Sequence, residues 1–411
     1  MSVFQRANIL LPKEADLTRW AVIACDQFTS DLSYWQRVRE AVGSSPSTLQ
    51  MVLPEAELER DTAPGPERIH AAMKEALRCG VFREYPNSYI YVRRTLQNGA
   101  IRQGLVGMVD LEEYDYREGS ASLIRATEKT VLERVPPRME IRRGACVEFP
   151  HVIMLCDDDE RTLLDPIGEA VETLPKLYDF DLMENGGHIA GWLVEGRMAA
   201  DFDKRMEAYC TRALEKYRAY SGSQVLLAVG DGNHSLAAAK GCFEELKRTH
   251  PNEDFSRHPA RYALVELENI HDESQVFEPV HRILTGVDVP ALLDALKGHC
   301  ASGGYPVSWL AGQEQGTLYL NPAEGALAVA VLQPVLDEWL SRNPGRIDYI
   351  HGDAELAALA AGENSLGLLL PPMEKEALFR GVTAGGVLPR KTFSMGHARE
   401  KRYYLEGRKI Q

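Results

Sequence analysis

The stretch Val225-Leu226-Leu227-Ala228-Val229-Gly230-Asp231-Gly232-Asn233-His234-Ser235 joins three structural signals in one run. Its first five residues are apolar throughout, as a strand covered on both faces requires. Gly230 and Gly232 break the run. Beyond them Leu236, Ala239, Phe243 and Leu246 recur at helical spacing, which predicts a helix with one buried face. The unit reads as strand, glycine loop, helix.

Such a unit suits an anion. The opening amides of a helix lack intrahelical partners, and the helix dipole adds positive potential there. Gly230 and Gly232 are expected to let the backbone turn tightly and approach a phosphate. Asn233 and Ser235 add donors. His234 is a candidate general acid or base, or a cationic partner for a phosphate oxygen. Asp231 is a candidate to orient His234 or to hold magnesium. The same residue types also make a plain helix cap after a turn, and both readings stand at this point. No Gly-Lys-Ser or Gly-Lys-Thr closes the loop, and it is not a G-x-G-x-x-G fingerprint.

Working outward, the pattern is mixed α and β. Tyr89–Val92, Gly104–Val109, His151–Cys156 and Ile189–Val194 read as strands, the last as the end of a hairpin begun near Asp179. Helices are expected over Asp201–Tyr220, over Asp288–Leu296 with Pro290 in the first turn, and over Leu327–Leu340. Pro334 should bend this last helix or mark its start. The polar stretch His250–Pro259 reads as a linker. It divides the chain into an N-terminal α/β domain, 1–250, that carries the loop, and a C-terminal α/β domain, 260–411, that contributes to the site.

The chain has 411 residues, 45% apolar and 26% charged, ordinary values for a packed globular protein. A net charge of -14 argues against non-specific nucleic-acid binding, which needs a cationic surface. It leaves room for a local basic pocket. No apolar run approaches the roughly 20 residues of a membrane span. Met1–Asp16 carries Arg6, Lys13, Glu14 and Asp16, unlike a secretory signal. No membrane association is expected, and a cytoplasmic location is. The 7 cysteines are scattered without a C-x-x-C pair; reduced, mostly buried thiols are expected.

Five markers occur in order: Cys25-Asp26-Gln27-Phe28-Thr29-Ser30 followed by Tyr34-Trp35; Ile124-Arg125-Ala126-Thr127-Glu128-Lys129-Thr130; Gly230–Ser235; Glu278-Pro279-Val280-His281-Arg282; and Leu388-Pro389-Arg390-Lys391-Thr392. With these the chain resembles a family of bacterial and archaeal proteins, the domain-of-unknown-function 1015 family. More distantly, its loop is similar to the Asp-Gly-His-His-Arg motif of the ParB, sulfiredoxin and free-serine-kinase superfamily. There the motif holds nucleotide phosphates. Asn233 stands here in place of the first His, and Ser235 in place of the Arg. The resemblance implies mixed sheets with flanking helices, a ParB/sulfiredoxin-like strand–loop–helix phosphate site and a C-terminal α/β part. It also implies serine or phosphoserine as substrate. With no loop arginine, Lys129, Arg282 and Lys391 are the candidate cations.

Glu128 is the candidate general base. Arg125 and Lys129 are candidate phosphate ligands beside it, and Thr127 a substrate contact. The alternative is a solvated helix start capped by Thr127. Arg282 has the fork to grip a phosphate, with His281 beside it as a substrate contact; a surface ion pair with Glu278 is the alternative. Asp26 and Gln27 are candidate substrate contacts, or turn residues. The polar stretch Lys391, Thr392, Ser394 and His397 is expected to be packed, because Phe393, Tyr403, Tyr404 and Leu405 accompany it. His188 is read as filling a hairpin turn, and Asp157–Glu160 as a solvated turn.

An enzyme is the favoured reading. The first candidate is a phosphotransferase using ATP or ADP and magnesium on free serine or a similar small molecule. The second is a metal-dependent phosphoester hydrolase, with Glu128 or His234 activating water. The third is a nucleotide-binding, ParB-like regulator without turnover. A homodimer is left open.

Overall fold

The computed structural model describes residues 3–29, 31–58, 65–117, 119–130, 135–221, 224–324, 327–385, 388–389 and 391–411. The marker residues Ser30 and Arg390 lie outside the described residues. In chain order the strands are β1 (Phe4–Gln5), β2 (Ala7–Pro12), β3 (Val22–Ile23), β4 (Phe82–Thr95), β5 (Ile101–Asp110), β6 (Tyr114–Asp115), β7 (Ile124–Ala126), β8 (Val147–Glu148), β9 (Ile153–Cys156), β10 (Lys176–Asp181) and β11 (His188–Val194). There follow β12 (Leu227–Asp231), β13 (Tyr262–Asn269), β14 (Phe277–Pro279), β15 (His281–Thr285), β16 (Cys300–Ala311), β17 (Glu314–Leu320), β18 (Arg346–Ile350), β19 (Ser365–Leu369), β20 (Phe393–Met395), β21 (Tyr403–Tyr404) and β22 (Arg408–Lys409).

A large mixed sheet runs β10-β11-β4-β5-β13-β9-β12-β7-β6, with β1 on β5 and β2 on β4. Its direction is mixed at the centre: β12 is parallel to β7 and antiparallel to β9, while β13 is parallel to β9 and antiparallel to β5. Side chains alternate across it. On β4, Tyr89 and Tyr91 join a core with Phe202, Met206 and Phe243 from the helices Gly196–Ser221 and Asn233–Thr249. Ile90 and Val92 enter the opposite core, with Trp20, Tyr34 and Trp35. The expected strands and helices occur at these places. Pro334 lies inside the helix Ala328–Arg342 rather than at its start.

The expected division near 250–260 does not separate the sheets. The first strand after it, β13, is inserted between β5 and β9 at the middle of the large sheet. Later segments return as well: β21 pairs with β3, and β22 with β8. Phe277, Phe379, Phe393 and Met395 share a core with Ile153, Val225 and Ala228. A polar connection marks only a loop here, because strand pairing across it is long-range. A second, antiparallel sheet, β17-β16-β19-β15-β18, forms from residues 281–369. Leu284, Leu366 and Leu368 pack on one side of it with Leu292 and Leu332, and Ile283 on the other with Leu356 and Ala360.

Two further expectations are corrected. Of Asp157–Glu160, Asp159 and Glu160 are exposed as expected, but Asp157 and Asp158 are buried. His271 Nε2 and Lys216 Nζ lie 2.6 and 2.8 Å from the Asp157 carboxylate, and the Leu163 amide donates to Asp158 Oδ2 at 2.8 Å. His271 and Lys216 come from distant elements, so adjacent acids here became interior anchors. Of the cysteines, Cys156 is buried and Cys79 exposed; the other five are intermediate, less covered than expected.

Candidate functional site

β12 ends at Asp231, and the helix Asn233–Thr249 begins two residues on, with Gly232 at the cap in the left-handed region (φ 79°). Leu236, Ala239 and Phe243 are buried on the predicted face. At both glycines a side chain would meet packed neighbours. A Cβ at Gly230 would stand 2.7 Å from Met395 Sδ and 2.9 Å from Leu155, and one at Gly232 would stand 3.0 Å from Val152.

The loop opens into a cavity of about 680 Å³, within the usual range for small-molecule sites. Ten of the sequence candidates line it: Asp26, Gln27, Glu128, Lys129, Gly230, Asp231, Gly232, Asn233, His234 and Lys391. They arrive from four parts of the chain. β7 delivers Glu128 and Lys129, and it is held parallel to β12 by the Thr127 hydroxyl, which donates to the Val229 carbonyl at 2.7 Å. The bridge Glu128–Leu388 draws in the C-terminal segment.

Five candidates stand elsewhere. Thr127 is spent on Val229, as described. Arg125 is buried, and its guanidinium donates to the carbonyls of Gln224 and Ser122 at 2.9 and 3.0 Å. The Ser235 hydroxyl lies 3.3 Å from His151 Nε2, away from the cavity lining. His281 is buried, with Nε2 2.8 Å from Asp353 and Nδ1 accepting from the Leu370 amide at 3.1 Å. Arg282 is fully buried and donates to the Lys391 carbonyl at 2.9 Å and to Gln333 Oε1 at 3.1 Å. A buried fork with carbonyl partners fixes backbone; it has no path to a phosphate in this cavity.

The cavity also holds residues that sequence reasoning did not single out: Arg138, Tyr349, His351 and Lys401. Lys401 Nζ lies 3.5 Å from Asp231 Oδ2. Behind the wall, buried His151 stands 3.6 Å from Asp26 and 2.9 Å from the Tyr404 hydroxyl. His151 opens an apolar strand run, and Lys401 sits in a basic tail. Neither context marks a site in one sequence.

Electrostatics separate two of the three carboxyls lining the cavity. Burial pushes the Glu128 carboxyl above its ordinary range, against the opposing Lys391 charge and the amides of Lys391 and Thr392. Burial would also raise Asp26, but His151, through charge and a hydrogen bond, outweighs it and holds Asp26 well below the carboxylate range. His351 is pushed below its ordinary value by burial and then by the Lys391 charge. Glu128 can therefore exchange a proton nearer neutrality, while Asp26 stays ionised.

Asp231 Oδ2 and Asn233 Oδ1 are buried and make no hydrogen bond among the described residues, though Lys401 Nζ stands 3.5 Å from the former. Two hard oxygen atoms fit magnesium, which takes one or two protein oxygens together with phosphate and water. Among the described residues no cluster of three or more His, Cys, Asp or Glu is placed to hold a metal by itself. No described helix is long and apolar enough to cross a membrane.

The mixed sheet, with a cavity at a strand–loop–helix junction lined by lysines, carboxyls and the glycine loop, defines an α/β protein. The chain belongs to the family described as protein of unknown function (DUF1015), which matches residues 6–405. No curated protein matches it. Among solved structures it is similar to SbnI with a C-terminal truncation from Staphylococcus aureus, at 9% identity and TM-score 0.39, covering 73% of this chain and 85% of that one. It is similar to a free serine kinase in complex with AMP at 10% identity and TM-score 0.36, covering 74% and 90%. A conserved hypothetical protein from Pyrococcus furiosus is similar at 12% identity and TM-score 0.35, covering 72% and 90%.

Proposed function

We propose that the cavity binds a nucleotide by its phosphates and moves one phosphoryl group to a small hydroxyl acceptor. One observation carries this reading. Glu128, a carboxyl raised by burial, shares one cavity with Lys129, Lys391, Lys401 and the loop Gly230–His234. Phosphoryl transfer asks for little beyond positioning, charge neutralisation and a base on the nucleophile. The three lysines supply the charge that Ser235 does not. A general base works best with a pKa near the operating pH.

In the proposed reaction Glu128 takes the proton from the acceptor hydroxyl. An oxygen–phosphorus bond forms, and the bridging phosphorus–oxygen bond of the nucleotide breaks. The electron pair stays on the bridging oxygen of the departing nucleotide, whose charge the lysines meet. Magnesium, held by Asp231 and Asn233, would neutralise further phosphate charge. Free serine, which the sequence resemblance implies, is the first acceptor to try.

The test incubates purified protein with ATP or ADP, magnesium and serine, and follows phosphoserine by mass spectrometry. Phosphoserine that depends on nucleotide supports the reading. Absence of both forward and reverse transfer would overturn it for serine. Phosphate release from phosphoserine without nucleotide would point to a hydrolase instead.

A further inference from the structure

Arg282 and the Leu388–Thr392 segment are both sequence markers, yet the arginine does not reach the cavity. Their structural relation gives it another task. Arg282 projects from β15 of the second sheet and is completely buried. Its guanidinium donates to the carbonyls of Val280 and Lys391 and to Gln333 Oε1, and it lies 5.0 Å from the Tyr349 ring centroid. Lys391 adopts φ 55°, a left-handed conformation that side-chain-bearing residues avoid unless their surroundings impose it. The next amide, Thr392 N–H, donates to Glu128 Oε1 at 3.2 Å. The segment is pinned on its other side by the Leu388 amide, which donates to the Thr127 carbonyl at 2.7 Å.

We propose that Arg282 is a positioning residue: it holds Lys391 in the left-handed turn that aims the Thr392 amide and the Lys391 ammonium at Glu128. The five-stranded sheet thereby acts on a carboxyl of the large sheet through one backbone carbonyl. Without the fork, Lys391 relaxes toward ordinary φ, and both stabilising groups turn from the carboxylate. The role of Glu128 as base rests on the function proposed above; the positioning itself does not.

The test reads the titration of the Glu128 carboxyl directly, by NMR on the full chain with labelled glutamate, assigned through Glu128→Gln. Turnover is not needed, so absent phosphoryl transfer would sink the proposed function and leave this result standing. Arg282→Lys should shift the Glu128 midpoint upward, since two groups that favour its charged form are lost. Lys391→Gly should also raise it by removing the ammonium. Glycine takes positive φ without strain, so adding Arg282→Lys in the Lys391→Gly background should shift the midpoint little further. The other ionisable groups around Glu128, from Asp26 and Lys129 to Asp231, His351, His397 and Lys401, are the same in every variant. An unshifted midpoint in Arg282→Lys, or an equal shift in both backgrounds, would overturn the proposal. If Arg282→Lys does not fold, Gln333→Met removes the oxygen that steadies the guanidinium. It should move the midpoint the same way by less, and no movement there would equally overturn it.

Discussion

The Lys401 ammonium stands 3.5 Å from Asp231 Oδ2, so the last polar stretch of the chain closes on the glycine loop. No arginine stands in the loop itself, and the Ser235 hydroxyl faces His151. The cation at the loop arrives instead from a C-terminal segment that returns to the large sheet through β21.

Lys401→Met should therefore weaken nucleotide binding. A hydrogen bond involving a charged group contributes about 1.5–3 kcal/mol, and each 1.4 kcal/mol is about tenfold in affinity. Calorimetric titration with ADP should show at least about a tenfold loss. Affinity equal to that of the unmodified chain would place the phosphates elsewhere.

Glu128→Gln should leave nucleotide affinity nearly intact and remove transfer, with a loss of about 10²–10⁴-fold in rate for a general base. In the unmodified protein the rate should rise with pH, because the base acts only when deprotonated. The midpoint should lie above the ordinary carboxylate range, as burial of Glu128 dictates. A pH-independent rate, or a variant that still turns over, would remove Glu128 from the chemistry.

Much of the architecture was legible because its signals are local. The apolar run Val225–Val229 and the spacing of Leu236, Ala239 and Phe243 need no distant partner to be read. The packed tail was legible too, since Tyr403, Tyr404 and Leu405 are too apolar for an exposed end. What failed depended on pairing across the chain. β13 follows a linker-like loop but is claimed by β5 and β9. Arg282 has the chemistry of a phosphate ligand, and only the placement of Lys391 and Gln333 turns it inward. Gly232 takes the turn expected of it while Gly230 stays within β12, and their neighbours, Val152 and Met395, decide what the missing side chains make room for.

Gly232→Ala tests that last point. The left-handed conformation (φ 79°) costs an L residue about 1–2 kcal/mol, and the new methyl meets the Val152 backbone at 3.0 Å. Urea denaturation should show a loss of that size or more, present without any ligand. A variant as stable as the parent would mean that the turn relaxes without cost.

Glu268 offers a pH test away from the cavity. It lies at 0% exposure on β13, with Arg102 Nε 3.0 Å from its Oε1. Burial pushes its carboxyl from 4.5 up to about 7, with Glu266 adding to the rise and Arg102 opposing it. Between those two values the folded chain keeps a proton that the unfolded chain has released. Unfolding then sheds a proton, so raising the pH favours the unfolded state. The contribution of Glu268 is thus complete below 4.5 and lost as the pH rises through about 7. Glu268→Gln cannot titrate and should flatten this part of the stability profile, measured by urea denaturation across the interval. A parent protein whose stability holds level or climbs there relative to the variant would show that Arg102 keeps Glu268 ionised in the fold. In that case the buried pair, and not burial of the lone carboxyl, would govern the centre of the large sheet.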